Sequence, residues 1–160
     1  DKPGTALYGV ANGADPLTVV VPSFTVKSIR QSTPGSGATN TLTVSLTADF
    51  DLPVGSTVTI TGLTGSQTAG SSLAVSSGAL LDPSGTWTQS SGQLVLRAAS
   101  GFSACEVTFA LTNPDSAQVA PAVSVSAEIE DGSGNSVGSI ASAEMTKPGG
   151  ALFGVANGAD

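Results

Sequence analysis

Only a handful of residues in this chain have the types and spacing for chemistry, and each lacks a partner that the chemistry would need. Histidine is absent. That removes the usual general base, the usual partner of a Ser or Cys nucleophile, and the commonest transition-metal ligand. Gly134-Asn-Ser-Val-Gly138 matches the G-x-S-x-G nucleophile elbow in letters, but that elbow needs a strand-to-helix turn and a His elsewhere in the chain. Asp49 and Asp51 are two carboxylates near a strand end. Glycosidase carboxylates face each other across a cleft from different elements, so a spacing of i, i+2 suits them poorly. Glu128-Ile-Glu130-Asp131-Gly-Ser-Gly-Asn135 is the better candidate for a hard cation such as calcium, with oxygens gathered on a Gly-rich turn. It lacks the EF-hand loop pattern, and an Asp-Gly hairpin turn with its acids in solvent is the simpler account. Cys105 alternates with Val107, Phe109 and Leu111, which places it on the inward face of a strand as an inert thiol. A cross-link between copies of the chain is the lesser reading. The expectation is therefore no enzyme, with no catalytic residue, no metal site and no cofactor.

What the chain offers instead is self-similarity. Asp1-Lys-Pro-Gly-Thr-Ala-Leu-Tyr-Gly-Val-Ala-Asn-Gly-Ala-Asp15 returns as Thr146-Lys-Pro-Gly-Gly-Ala-Leu-Phe-Gly-Val-Ala-Asn-Gly-Ala-Asp160, identical at twelve of fifteen positions. Lysine to lysine, the period is 147 minus 2, or 145 residues. A fixed period is the mark of repeat architecture, and one this long suits a string of whole domains. The chain opens inside the motif, with no initiator Met and no leader, so a segment of a longer polypeptide is expected. Residues 1–15 read as an inter-repeat joint, 16–145 as the repeat domain, and 146–160 as the start of the next repeat.

The elements between the copies alternate with a period of two. Thr41–Thr47 places Leu42, Val44 and Leu46 on one face, and Ser56–Thr61 does the same with Val58 and Ile60. Cys105–Thr112 and Ala122–Glu130 continue the pattern, the latter with Val123, Val125, Ala127 and Ile129 inward. Weaker strands are expected over 23–31, 86–89, 93–98 and 137–146. Strict alternation with β-branched residues marks half-buried strands. Turn signals such as Pro34-Gly35, Asp82-Pro-Ser-Gly85 and Asn113-Pro-Asp115 fall between them. Eight to ten short strands predict an all-β, immunoglobulin-like β-sandwich, filled around Phe24, Phe50, Trp87, Phe102 and Phe109.

The joint is too apolar for a bare linker. Lys-Pro-Gly reads as a turn feeding an extended apolar segment. Leu7, Tyr8 and Val10, with copies Leu152, Phe153 and Val155, are predicted to dock against a neighbouring domain, in a groove or along a strand edge. Gly9 and Gly154 would permit close backbone approach. The competing reading makes the segment simply the first strand of its own domain. Copies at both ends imply a head-to-tail contact, and a heterologous contact that does not close makes a filament.

Only 11% of the residues are charged and the net charge is −7. Such a surface repels nucleic acid and anionic membrane, and no apolar run approaches the ~20 residues of a membrane span. Serine and threonine make up about a quarter of the chain. No Asn-x-Ser/Thr sequon occurs, so N-glycosylation is not expected, whereas O-linked glycans, or sugar on modified proline, stay open as partners.

Val21-Pro-Ser-Phe-Thr-Val-Lys-Ser-Ile29, Asn40-Thr-Leu-Thr-Val-Ser-Leu46, Leu52-Pro-Val-Gly-Ser-Thr-Val-Thr-Ile-Thr-Gly-Leu-Thr-Gly-Ser66 and Phe109-Ala-Leu-Thr-Asn-Pro114 resemble the tandem repeats of very large surface and filament proteins of algae and other protists. The similarity spans most of residues 21–130. It implies an extracellular, repetitive, glycosylated structural protein of a filament, flagellar hair or cell coat. The Asp-Gly-Ser-Gly-Asn hairpin also resembles turns in bacterial immunoglobulin-like adhesin repeats. Neither resemblance brings catalytic residues. The expected function is a structural repeat of an extracellular filament or cell-surface coat, whose partners are neighbouring repeats of the same protein. An adhesin-type module binding a glycan or protein partner is the alternative.

Overall fold

The computed structural model spans Asp1–Asp160. It is all-β, with nine strands: β1 Phe24–Gln31, β2 Thr39–Leu52, β3 Thr57–Thr61, β4 Ser72–Ser76, β5 Ser84–Thr88, β6 Gln93–Arg97, β7 Phe102–Thr112, β8 Ser124–Glu130 and β9 Ser136–Glu144. All the strand pairs are antiparallel, in the order β1-β2-β7-β4-β5-β6-β3-β8-β9. The two ends of this order meet. Just past β9, Thr146 forms a parallel bridge with Ser28 of β1, donating its N–H to Lys27 O (2.8 Å) and accepting from Ile29 N (3.0 Å). The sheet is thus a near-barrel, which covers most of the unpaired edge that an open sheet would expose. No helix is long and apolar enough to cross a membrane.

The period-two pattern makes this possible. Every second residue of β2 from Asn40 to Leu52 is buried, and the inward positions expected of β3, β7 and β8 are all buried as well. Trp87 fills the centre, 2% exposed, and its indole N–H donates to Thr68 O at 2.9 Å. Such a donor needs a partner when its ring is buried. β4 is the strand that alternation does not announce. It is short and serine-rich, with only Leu73 buried. It turns a corner, pairing with β5 through Ser72–Ala74 and with β7 through Val75 and Ser76.

Cys105 lies inward, beside Leu46 of β2, and burial pushes its thiol up to about 11. Because the folded state holds the proton longer than the unfolded chain, stability is fully present below the unfolded thiol's value and is lost as pH rises toward the folded one. Ellman's reagent should therefore leave the native protein unlabelled at pH 8 and react at once in urea. Between pH 8 and 10 the urea midpoint should fall more in the parent than in Cys105→Val. Immediate labelling of the native chain would show that the thiol is not buried.

Candidate functional site

The two terminal copies fold alike in different surroundings. In the first, Leu7 and Val10 exchange main-chain hydrogen bonds (3.1 and 3.0 Å) across Tyr8-Gly9. Tyr8 has φ 51° and Gly9 φ 77°, the signature of the two-residue turn that suits a tight hairpin. Gly13 N then donates to Val10 O (3.0 Å), Ala14 N to Thr5 O (3.2 Å) and Asp15 N to Asn12 O (3.0 Å). The Asp15 carboxylate accepts from Gly4 N at 2.7 Å and ties the ends. The second copy has the same six bonds one period later, each within 0.1 Å: Leu152 with Val155 (3.1 and 3.0 Å), Gly158 to Val155 (3.0 Å), Ala159 to Gly150 (3.1 Å), Asp160 to Asn157 (3.1 Å) and Gly149 to the Asp160 carboxylate (2.7 Å). Phe153 and Gly154 take φ 50° and 77°.

This geometry corrects the expectation of an extended segment along a strand edge. Leu7–Val10 is a closed hairpin turn, not an added strand, and it is not the first strand of its domain. The sequence cue was Gly9 and Gly154, read for close approach only. An aromatic residue is costly at positive φ, by roughly 1–2 kcal/mol, and Asn would suit the turn better. Both copies nevertheless place an aromatic ring there.

The copies sit at opposite poles of the barrel. Copy one caps the end of β2, where Tyr8 stacks on Phe50 (centroids 5.1 Å apart, planes 20°) and Tyr8 O accepts from Asp51 N at 2.9 Å. Tyr8 and Val10 pack against the core, while Leu7 stays about half exposed. A Cβ on Gly9 would lie 3.0 Å from Asp51 Oδ1, so the glycine permits the approach as well as the turn. Copy two rests on the end of β1. Gln31 N donates to Ala159 O (3.1 Å) and Gln31 Nε2 to Gly158 O (2.8 Å). Here Phe153 is 79% exposed, and a Cβ on Gly154 would meet nothing within 4 Å.

The sequence reading missed Gln31 and Asn40. Asn40 is buried and satisfies every polar atom of its side chain. Its Nδ2 donates to Gln31 Oε1 (2.7 Å) and Asn113 Oδ1 (2.9 Å), and its Oδ1 accepts from Ser32 N (3.1 Å) and Thr33 N (3.3 Å). Asn40 thereby fixes the amide that holds copy two. A polar residue at an inward position of an otherwise apolar alternating strand was the available signal.

Of the residues marked for chemistry, Asp49 and Asp131 are engaged in hydrogen bonds that shape the backbone. Asp49 accepts from both the hydroxyl and the N–H of Ser23, each at 2.7 Å, and these bonds hold its carboxyl below the usual range. The Asp131 carboxylate closes the β8–β9 turn, accepting from Asn135 Nδ2 (2.8 Å), Ser133 N (2.8 Å) and Asn135 N (3.2 Å), which lowers it likewise. Its oxygens are thus committed to the turn, and no three His, Cys, Asp or Glu side chains converge anywhere in the chain. Ser136 opens β9 beside that turn, with no helix after it. No protein-family model matches the chain, and no curated protein matches it either.

None of the 28 core side chains belongs to either copy, so the motif and the barrel should fail separately. A Cβ on Gly158 would lie 2.8 Å from Leu152 O. Gly158→Ala should open copy two, with faster exchange of the Gln31 amide and little change in the urea midpoint. Asn40→Ala, by contrast, strands several half-buried partners and should cost about 2–3 kcal/mol of global stability in urea unfolding. Equal loss in the two variants would show that copy two is part of the cooperative core.

Proposed function

We propose that this chain is one repeat of an extracellular filament or cell-surface coat, strung head-to-tail through the motif of residues 1–15 and 146–160. The observation that carries the reading is the placement of two self-closed copies of one motif at opposite poles of one barrel. Phe50 and Asn40 mark those poles on β2 and are ten residues apart, or at most about 34 Å along an extended strand. A contact that enters at one pole and leaves at the other propagates and does not close on itself.

An immunoglobulin-like sandwich is the finer reading of the barrel. A corner strand such as β4, shared between two sets of pairings, is how strands switch sheets in sandwiches. Hydroxyl-rich outer faces supply attachment points for O-linked sugar, which would hydrate a surface of low charge. Resemblance to the surface repeats of algae and other protists agrees with both points. The carboxylates of Asp49 and Asp131 are taken up by donors within the chain.

Charged substitutions at Leu7 and Tyr8 test the stringing role. A chain of three or more periods carrying Leu7→Glu and Tyr8→Glu in every joint should keep its barrels folded, yet scatter X-rays as a flexible string where the parent scatters as a stiff rod. Native material that proves to be solitary monomers under electron microscopy would overturn the filament reading itself.

A further inference from the structure

We propose that the exposed Phe153-Gly154 turn is a docking surface for the Phe50–Asp51 pole of the following repeat, so that residues 146–160 clasp two domains at once. This rests on the repeat reading above and adds to it a defined contact. The two copies display complementary halves of one interface. Copy one uses its turn: the Tyr8 ring lies on Phe50, and Tyr8 O accepts from Asp51 N. Its Gly13 and Ala14 carbonyls accept nothing. Copy two uses the equivalents of those carbonyls, Gly158 O and Ala159 O, both taken by Gln31. Its Phe153 carbonyl accepts nothing, and the ring stands in solvent. No atom is used in both attachments, and the six internal bonds are the same in each, so both attachments are compatible with one conformation of the motif.

The conformational cost of an aromatic at positive φ supports the same partner. In copy one that cost is offset by stacking on Phe50, whereas Phe153 has no such contact within this chain. A second apolar contact would form in a continuing chain. Leu17, two residues beyond copy one, is 97% exposed, and Val119, 91% exposed, lines the same cleft as Val155 and Asp160 of copy two. In a continuing chain the residues equivalent to Pro16-Leu17 would leave the joint at that cleft. Large exposed apolar groups gathered at one point mark an interaction site.

The test uses the full chain followed directly by a second copy of residues 16–160, which preserves the natural joint with Phe153. Expected is one alignment tensor for both barrels in residual dipolar couplings, with the second Asp51 amide protected from exchange as the first is. Phe153→Asn keeps a good turn former while removing the ring. It should split the tensor into two and speed exchange of the second Asp51 amide by roughly tenfold or more, the worth of one ring stack and one backbone hydrogen bond. The first Asp51 amide should not change. Two independent tensors in the unsubstituted tandem, or an unprotected second Asp51 amide, would overturn the clasp. Beads on flexible joints would then still satisfy the filament reading, which stands or falls on images of native material.

Discussion

A turn that closes on itself underlies both terminal attachments of this molecule. The paired hydrogen bonds between Leu7 and Val10 force Tyr8 and Gly9 to positive φ, and the Asp15 carboxylate brings the ends of the motif together. Each bond is local, spanning at most eleven residues, so little loop-closure entropy is lost in making it. That is why the same fifteen-residue pattern reaches the same geometry when one copy caps β2 and the other rests on β1. An element shaped by its neighbours would differ between such unlike settings.

The barrel supplies the two seats. Its core excludes both copies, so each seat must be made from what the strands leave at their ends: an aromatic face and a free N–H at Phe50-Asp51, and an amide clamp at Gln31. The clamp is the more demanding of the two. A glutamine side chain loses up to about 2 kcal/mol of rotamer entropy when fixed, and Asn40 offsets this by accepting and donating inside a fully satisfied network. Buried amides in such a network are rigid when complete and costly when broken. The two poles therefore differ in chemistry, since one offers a ring and the other offers donors.

Groups that looked chemical in the sequence turn out to shape the backbone. Asp49 joins Ser23 to the end of β2, which steadies the pole where Tyr8 sits. Asp131 accepts three N–H groups in one hairpin. Carboxylates in turns do this readily, because a short acceptor side chain can satisfy main-chain donors two to four residues on. Nothing in their spacing distinguishes that role from metal binding. Only the direction of each carboxylate does.

The sequence by itself determined the all-β class, the spacing of the two copies and the inward faces of β2, β3, β7 and β8, because alternation and recurrence are properties of the one-dimensional string. Leu42, Val44 and Leu46 can lie inward only if the chain is extended, and strands of that pattern must share a core. It also pointed to Leu7, Tyr8, Gly9 and Val10 with their copies. Tertiary structure alone decided where each copy is seated. The positive φ at Tyr8 and Phe153 rests on a local strain, and the weak strand β4, the closure of the sheet through Thr146 and the partner that Asn40 finds in Gln31 rest on long-range contacts. Opposite poles exist only once β2 stretches between them.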